Sequence, residues 1–63
     1  MHTLMMARDT NGDVVVGELA GGAPGVIRLV NVTRSIDPRK PWEQSAEEEA
    51  ELLVDASTVE SLC

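Results

Sequence analysis

The sequence contains no tyrosine or phenylalanine, and it has one tryptophan, one cysteine and one histidine among its 63 residues. A single cysteine cannot form an internal disulfide, and one histidine and one cysteine at opposite ends of the chain do not suit a structural zinc site. We therefore expect no cofactor and no metal. No apolar run approaches the roughly 18 residues of a membrane span, and the start lacks a basic-then-apolar signal pattern. These absences predict a cytoplasmic protein with no membrane partner.

A chain of 63 residues forms one domain at most. A domain of this size buries only about 60% of the surface that its unfolded chain exposes. Its core rarely supplies more than about 3–5 kcal/mol, and such chains usually need a disulfide, a metal or a partner subunit. Because the first two are excluded, self-association is the expected source of further burial. Apolar residues make up 43% of the chain and charged residues 25%, which argues against wholesale disorder.

Acidic residues dominate the second part of the chain. The formal net charge is −6, residues 1–40 carry five basic and four acidic side chains, and residues 41–63 carry seven acidic and no basic ones. A uniformly acidic surface repels phosphate, so binding to duplex DNA is disfavoured. A local basic pocket in an acidic shell still allows contact with a single strand.

Strands and turns account for the first half of the sequence. Residues 2–8, 13–20 and 26–33 are rich in β-branched or other apolar side chains. Two turn elements separate them: 9–12, which ends in Asn-Gly, and 21–25, which reads Gly-Gly-Ala-Pro-Gly. Asn-Gly tolerates the positive φ of a tight hairpin. These patterns predict an antiparallel meander of three strands.

The third predicted strand presents apolar side chains on both faces. Strict alternation would place Ile27 and Leu29 on one face, and Val26, Val30 and Val32 on the other. Two apolar faces predict a rolled barrel, or one face buried against a partner. We place Leu19 and Ile27 in the core, where a substitution by aspartate is expected to prevent folding.

Two structures compete for residues 45–54. Ser45 followed three residues later by Glu48 resembles a helix capping box, which favours a helix over 45–53. The apolar pair Leu52-Leu53 favours instead a short strand at 51–54. In that case a turn at 55–57 and a last strand at 58–62 complete the chain.

Two segments of the predicted strands form a recognisable pattern. The first comprises Gly12-Asp-Val-Val-Val-Gly-Glu-Leu19 and Gly25-Val-Ile-Arg-Leu-Val-Asn-Val32, and the second is Leu53-Val-Asp-Ala-Ser-Thr-Val-Glu-Ser-Leu62. With five short strands in all, these segments resemble the two half-motifs of the Sm-like (LSm/Hfq) family, and Gly17 and Leu19 occupy the family's Gly-x-Leu. The resemblance covers 1–63 as a single Sm-like domain, with 34–50 as a variable insertion between the third and fourth strands.

The resemblance implies an all-β fold: a small, five-stranded, strongly bent antiparallel barrel of the Sm-like or SH3-like kind, with a short helix or loop before the last two strands. It also implies a closed homo-oligomeric ring, a hexamer or heptamer, in which the last two strands of neighbours pair, and binding of single-stranded RNA. The family's Asp and Asn in the turn before the third strand are absent here. Its Arg-Gly in the last turn is replaced by Asp55-Ala56. These departures weaken the RNA expectation more than the assembly.

One cluster combines cations with the single aromatic residue: Arg34, Arg39, Lys40 and Trp42. Cations neutralise phosphate and an indole stacks on a base, so this cluster is the candidate site for single-stranded nucleic acid. The alternative is a structural loop whose indole covers the barrel and whose cations offset nearby glutamates.

No arrangement of side chains suggests catalysis, and we expect no enzyme and no catalytic residue. His2 and Cys63 are most simply unremarkable chain ends. A second function is an acidic protein-interaction scaffold without nucleic-acid binding, with the segment 43–60 as its contact surface.

Overall fold

The computed structural model describes residues 3–37, 39–40 and 42–61, and they form one antiparallel sheet. The strands are β1 (Leu4–Arg8), β2 (Val14–Ala23), β3 (Val26–Arg34), β4 (Glu49–Asp55) and β5 (Glu60–Ser61), with a 3-10 helix at Ala56–Thr58. Their order in the sheet is β4-β3-β2-β1-β5. The predicted mainly-β fold with five antiparallel strands is confirmed. Within the described residues no pairing joins β4 to β5, so the sheet is not closed.

The turn between β1 and β2 forms as predicted. Gly12 adopts φ 84°, and its N–H donates to the carbonyl of Asp9 at 3.0 Å. One carboxylate oxygen of Asp9 accepts the N–H groups of Asn11 at 2.9 Å and Asp13 at 3.0 Å. The aspartate therefore organises the turn by the local hydrogen bonding that favours this residue type in turns.

The second turn is shorter than the predicted 21–25. β2 continues through Ala23, and only Pro24 and Gly25 lie between the strands. A register shift between Leu19 and Gly22 marks a bulge, and Gly21 sits in it at φ 114°. Because a glycine accommodates the extra residue of a bulge, the strand does not end there.

A second bulge lies on β3 and explains its two apolar faces. The register between β2 and β3 shifts between Val16 and Glu18, and Asn31 on the facing strand adopts φ 52°. Asn tolerates this left-handed conformation better than most residues. The extra residue resets the alternation, so Leu29 and Val32 both have no exposed surface.

The core is small and entirely aliphatic. It consists of five buried residues with four half-buried ones against them: Ala7, Val15, Leu29, Val32 and Val54, then Met5, Ile27, Leu52 and Val59. Ile27 is thus at the core, as expected. Leu19 is not buried as expected: its exposed fraction is 43%.

The helix predicted over 45–53 is wrong, and its rival, the strand, is correct. β4 begins at Glu49 and pairs with β3 along its whole length, placing Leu52 opposite Leu29 and Val54 opposite Ile27. Burial of these two side chains outweighs the local preference of the glutamates for helix. The predicted 58–62 strand begins later, at Glu60, because the 3-10 helix occupies 56–58.

His2, Leu62 and Cys63 lie outside the described residues. Among those described, no helix has the length and apolar character needed to cross a bilayer.

Candidate nucleic-acid interface

The segment between β3 and β4 folds back on itself as an irregular hairpin. The N–H of Ser45 donates to the carbonyl of Arg34 at 2.8 Å, and the N–H of Ile36 donates to the carbonyl of Glu43 at 2.9 Å. Beyond these bonds, Lys40 N–H donates to Asp37 at 2.8 Å and Glu43 N–H donates to Lys40 at 2.9 Å. Two consecutive hydrogen-bonded turns therefore form the end of the hairpin, and we call its described residues, 36–37, 39–40 and 42–43, the loop tip.

The loop tip brings three of the four predicted site residues together. Arg39, Lys40 and Trp42 are all exposed on it. Trp42 has an exposed fraction of 73% and Ile36 has the same value. Because its indole is this exposed, Trp42 does not cover the sheet, as the alternative of a structural loop requires. Two large apolar side chains exposed beside two cations are typical of a contact surface.

Arg39 is partly neutralised by its neighbour Asp37. Its Nε and Nη2 donate to the Asp37 carboxylate at 3.3 and 3.4 Å, and its backbone N–H donates at 2.9 Å. The backbone bond, and then the guanidinium bonds, lower the pKa of Asp37 below its ordinary value. The Asp37 carboxylate is therefore ionised at any pH at which phosphate would bind. The described part of the tip carries two cations, Arg39 and Lys40, and two acidic side chains, Asp37 and Glu43.

We expect the Arg39→Ala variant to raise the pKa of Asp37 only part of the way to its ordinary value, since the larger cause, the backbone N–H of residue 39, remains. Because the pKa of Asp37 is lower in the folded protein than in the unfolded chain, its ionisation stabilises the folded turn at pH values above the unfolded pKa. This stabilisation is lost as the pH falls through the folded pKa. Carbon-detected NMR titration of the carboxyl groups measures the pKa of Asp37 in the parent protein and in Arg39→Ala. Asp55, whose pKa is lowered by Ser57 instead, is the internal control and should not change. An unchanged Asp37 titration would contradict the contact.

Arg34, the fourth predicted residue, lies away from the tip at the end of β3. Its Nη1 donates to Asp9 and, at 3.2 Å, to Asp13, while its Nη2 donates to Glu49 at 2.8 Å. The guanidinium thus joins the β1–β2 turn to β3 and β4. Three carboxylates surround one cation, so this arginine is committed to holding the sheet together rather than to an external phosphate.

Sequence reasoning missed Ile36 at the tip and Asp9 and Asp13 around Arg34. A neighbouring apolar residue in a basic, proline-containing loop was the available indication for Ile36. The aspartates had none, because they lie 25 and 21 positions from Arg34 along the chain.

A shallow groove of about 370 Å³ lies at the other side of the sheet, between β1, β5 and the 3-10 helix. Several of its polar groups are engaged: Thr58 Oγ1 donates to the carbonyl of Asp55 at 2.8 Å, and Ser57 Oγ donates to the Asp55 carboxylate at 2.9 Å. Arg8 Nη1 donates to the Gly12 carbonyl at 2.9 Å. Across the described residues, no group of three or more His, Cys, Asp or Glu side chains could hold a metal ion. The loop tip is therefore the better candidate for a binding site.

The fold and these sites define a small, mainly-β protein built on one five-stranded antiparallel sheet. No protein-family model matches this chain, and comparison with curated proteins and with solved structures finds no similar one.

Proposed function

We propose that this chain is a non-enzymatic, Sm-like protein that assembles with copies of itself into a closed ring, a hexamer or heptamer, by pairing β4 of one copy with β5 of the next. The observation that carries the proposal is the strand order, in which β4 and β5 form the two outer edges of the sheet. An edge strand offers its outward backbone groups to another strand. Pairing the two edges of successive copies also produces the closed ring that the Sm-like resemblance implies.

The register identifies the backbone groups that β4 offers. The N–H of Ala56 donates to the carbonyl of Gly25, which fixes the hydrogen-bonded pairs between β3 and β4. Since such pairs alternate in an antiparallel ladder, the backbone groups of residues 50, 52 and 54 point towards β3. Those of 49, 51, 53 and 55 point to the open side. Leu53, the apolar member of this set, has an exposed fraction of 59%.

Charge favours pairing of β4 with β5 over pairing of β4 with itself. Because outward residues pair with outward residues, two copies of β4 would bring their acidic side chains together: Asp55, and also Glu49 and Glu51, whose charges the arginines of β3 offset only in part. The N–H of Leu19, on β2, donates to the carbonyl of Thr3, just before β1. The backbone groups of Met6 on β1 therefore point towards β5, where the partner of Met6 is Glu60. The outward position within β5 is then Ser61, which is uncharged. A head-to-tail contact avoids the repulsion that a two-fold contact would create.

Size gives the assembly its energetic reason. A core of a few aliphatic side chains in a chain of this length supplies only about 3–5 kcal/mol. Burial of Leu53 against a neighbouring strand, with backbone hydrogen bonds on each side, adds stability that increases with the logarithm of protein concentration.

Light scattering coupled to size exclusion tests the assembly. We expect the parent protein to have six or seven times the mass of one chain, and the Leu53→Lys variant to dissociate at micromolar concentration, because the edge then carries a charge where a strand must pack. Ile36→Lys, which places the same charge on the loop tip, is the control and should keep the parent's mass. A folded, monomeric parent would exclude the ring.

We further propose that the loop tip binds single-stranded RNA, with Trp42 stacking on a base and Arg39 and Lys40 beside the phosphates. The proposal is supported by the exposure of the indole and of two cations on one short loop. Base stacking on an aromatic side chain contributes about 1–3 kcal/mol and tolerates any sequence. A ring repeats the tip in every subunit, so weak single contacts combine along one strand. Arg34 is left out of this site because its guanidinium is held by carboxylates.

Fluorescence polarisation with short U-rich and A-rich RNAs at low salt tests this site. Trp42→Ala is expected to weaken binding about tenfold or more, in line with the loss of one stacked base. Lys40→Gln should also weaken it and reduce its salt dependence. Arg8→Gln makes the same change of charge away from the tip and should have little effect. The absence of binding by the parent at low salt would exclude RNA and leave the ring unaffected.

The second candidate function is the acidic scaffold without nucleic-acid binding. It is favoured by Glu47 and Glu48, which are exposed in the segment leading into β4. A Glu47→Lys/Glu48→Lys variant, used in affinity capture beside the parent, should lose partners if this surface is in use. Capture of the same partners by both proteins would contradict the scaffold.

A further inference from the structure

Two arginines of β3 reach across to acidic residues of β4. Arg28 Nε lies 2.6 Å from Glu51 Oε2, and Arg34 Nη2 lies 2.8 Å from Glu49 Oε1. Both glutamates belong to the set whose backbone points to the open side of β4. The strand that the proposed ring uses for self-association is therefore acidic in sequence, yet two of its outward residues have their charge compensated inside the subunit.

The direction of the Arg28–Glu51 contact also keeps the carboxylate away from the open side of β4. In the register, Arg28 stands opposite Leu53, and Glu51 stands opposite Val30. The Arg28–Glu51 pair is thus a diagonal contact, which draws the carboxylate over β3 and away from the open side. Arg28 also contacts the strand on its other side, because its Nη1 donates to the carbonyl of Ala20 on β2 at 3.4 Å. It spans three strands on one face of the sheet.

Strand addition makes this compensation matter. A neighbouring strand displaces water from the side chains at the edge, and a carboxylate that loses water without a counter-charge is destabilised. While the pair is exposed in a single subunit, its contribution is small. The stabilising contribution of the ion pair grows when a neighbouring strand covers it. Loss of the pair therefore affects assembly rather than the fold of the subunit.

We infer that Arg28 is a positioning residue for self-association: by holding Glu51 over β3, it makes the acidic edge of β4 able to accept β5 of a second copy. This inference rests on the proposed ring. It adds the residue that determines whether the edge is used, and it predicts which change of charge abolishes the contact and which restores it.

Arg28 gives a clearer test than Arg34. The side chains of Arg28 and Glu51 are both largely exposed, with exposed fractions of 44% and 49%, so their replacement leaves the core intact. Arg34, by contrast, also holds Asp9 and Asp13, and its loss would affect folding and assembly together.

The experiment measures the mass distribution of four variants by sedimentation velocity over a range of concentrations. Arg28→Gln should raise the dissociation constant of each interface about fivefold, as expected for a charge left uncompensated at a partly desolvated site. Arg28→Gln/Glu51→Gln, which removes both charges, should restore most of the assembly, and Arg28→Lys should retain it. Arg39→Gln makes the same change of net charge on the loop tip and should assemble like the parent.

The outcomes separate this inference from the proposal on which it rests. A monomeric parent would overturn both. An oligomeric parent whose Arg28→Gln variant assembles equally well, or whose double variant is no better than the single one, would overturn the role of Arg28 alone. Circular dichroism of each variant, with an unchanged β spectrum expected, shows that loss of mass is not loss of fold.

Discussion

The Gly17→Ala variant is expected to lose about 3 kcal/mol of its free energy of unfolding, which is most of what a domain of this size has. Gly17 lies on β2 where the register with β3 shifts, and its backbone is packed closely against that strand. A Cβ atom at this position would lie 2.9 Å from Cγ2 of Val32, 3.1 Å from Cβ of Leu29 and 3.1 Å from the carbonyl oxygen of Val30. Two of these neighbours are fully buried side chains and the third is backbone, so none can move away cheaply.

Urea denaturation monitored by circular dichroism measures this loss. The matched control is Gly12→Ala: Gly12 has φ 84°, but no atom lies within 4 Å of its added Cβ. That variant suffers only the backbone strain of a left-handed alanine, about 1–2 kcal/mol. If Gly17→Ala proved no less stable than Gly12→Ala, β2 and β3 would not approach each other at this point as described.

Local patterns predicted those elements that depend on neighbouring residues. The β-branched run of 26–33 and the Asn-Gly turn formed where expected, since both preferences act within a few residues. The position of Gly17 was noted through the Sm-like pattern, but its close contact with Val32 was not predictable. That contact depends on the bulge at Asn31, which is a property of two strands paired in space.

The choice between helix and strand before the last turn shows the same limit. The glutamates and Ser45 favour a helix locally, whereas the register with β3 places Leu52 and Val54 at the core. Pairing with a distant strand decided the outcome, and no local pattern carries that information. The leucines of 52–53 were the indication that pointed the right way.

The candidate site was predicted as one cluster and is found as two. Arg39, Lys40 and Trp42 share the loop tip, as their closeness in sequence suggested. Arg34 is separated from them because the chain returns to the sheet through the Ser45–Arg34 hydrogen bond. Its acidic partners come from the β1–β2 turn, so adjacency in sequence gave the wrong environment for this arginine.

The Arg34→Met variant is expected to lose about 2 kcal/mol of its free energy of unfolding, because it leaves carboxylates in a partly buried cluster without their cation. The side chain of Asp9 has an exposed fraction of only 8%, and that of Arg34 has 28%. Removal of one partner of a fully buried pair costs about 3–5 kcal/mol, and the access of water to the guanidinium reduces the figure here. Glu49 is more exposed and contributes less.

A double-mutant cycle with Asp9→Asn isolates the interaction. Asparagine keeps the oxygen that accepts the N–H groups of Asn11 and Asp13, so the β1–β2 turn survives while the charge is lost. We expect the double variant to be about 1 kcal/mol more stable than the sum of the single effects predicts, as for groups in one network. Added salt should recover part of the stability of Arg34→Met, since it screens the repulsion among the remaining carboxylates.

The same variant decides between a structural role and an RNA contact for Arg34. A structural cation predicts a lower unfolding midpoint, with RNA affinity unchanged at temperatures where the protein is folded. An RNA ligand predicts the reverse: weaker polarisation titrations with an unchanged midpoint. Arg39→Met, which removes a cation from the loop tip, should follow the second pattern and is the matched control. Retention of the full midpoint by Arg34→Met would mean that the guanidinium does not tie the β1–β2 turn to β3 and β4.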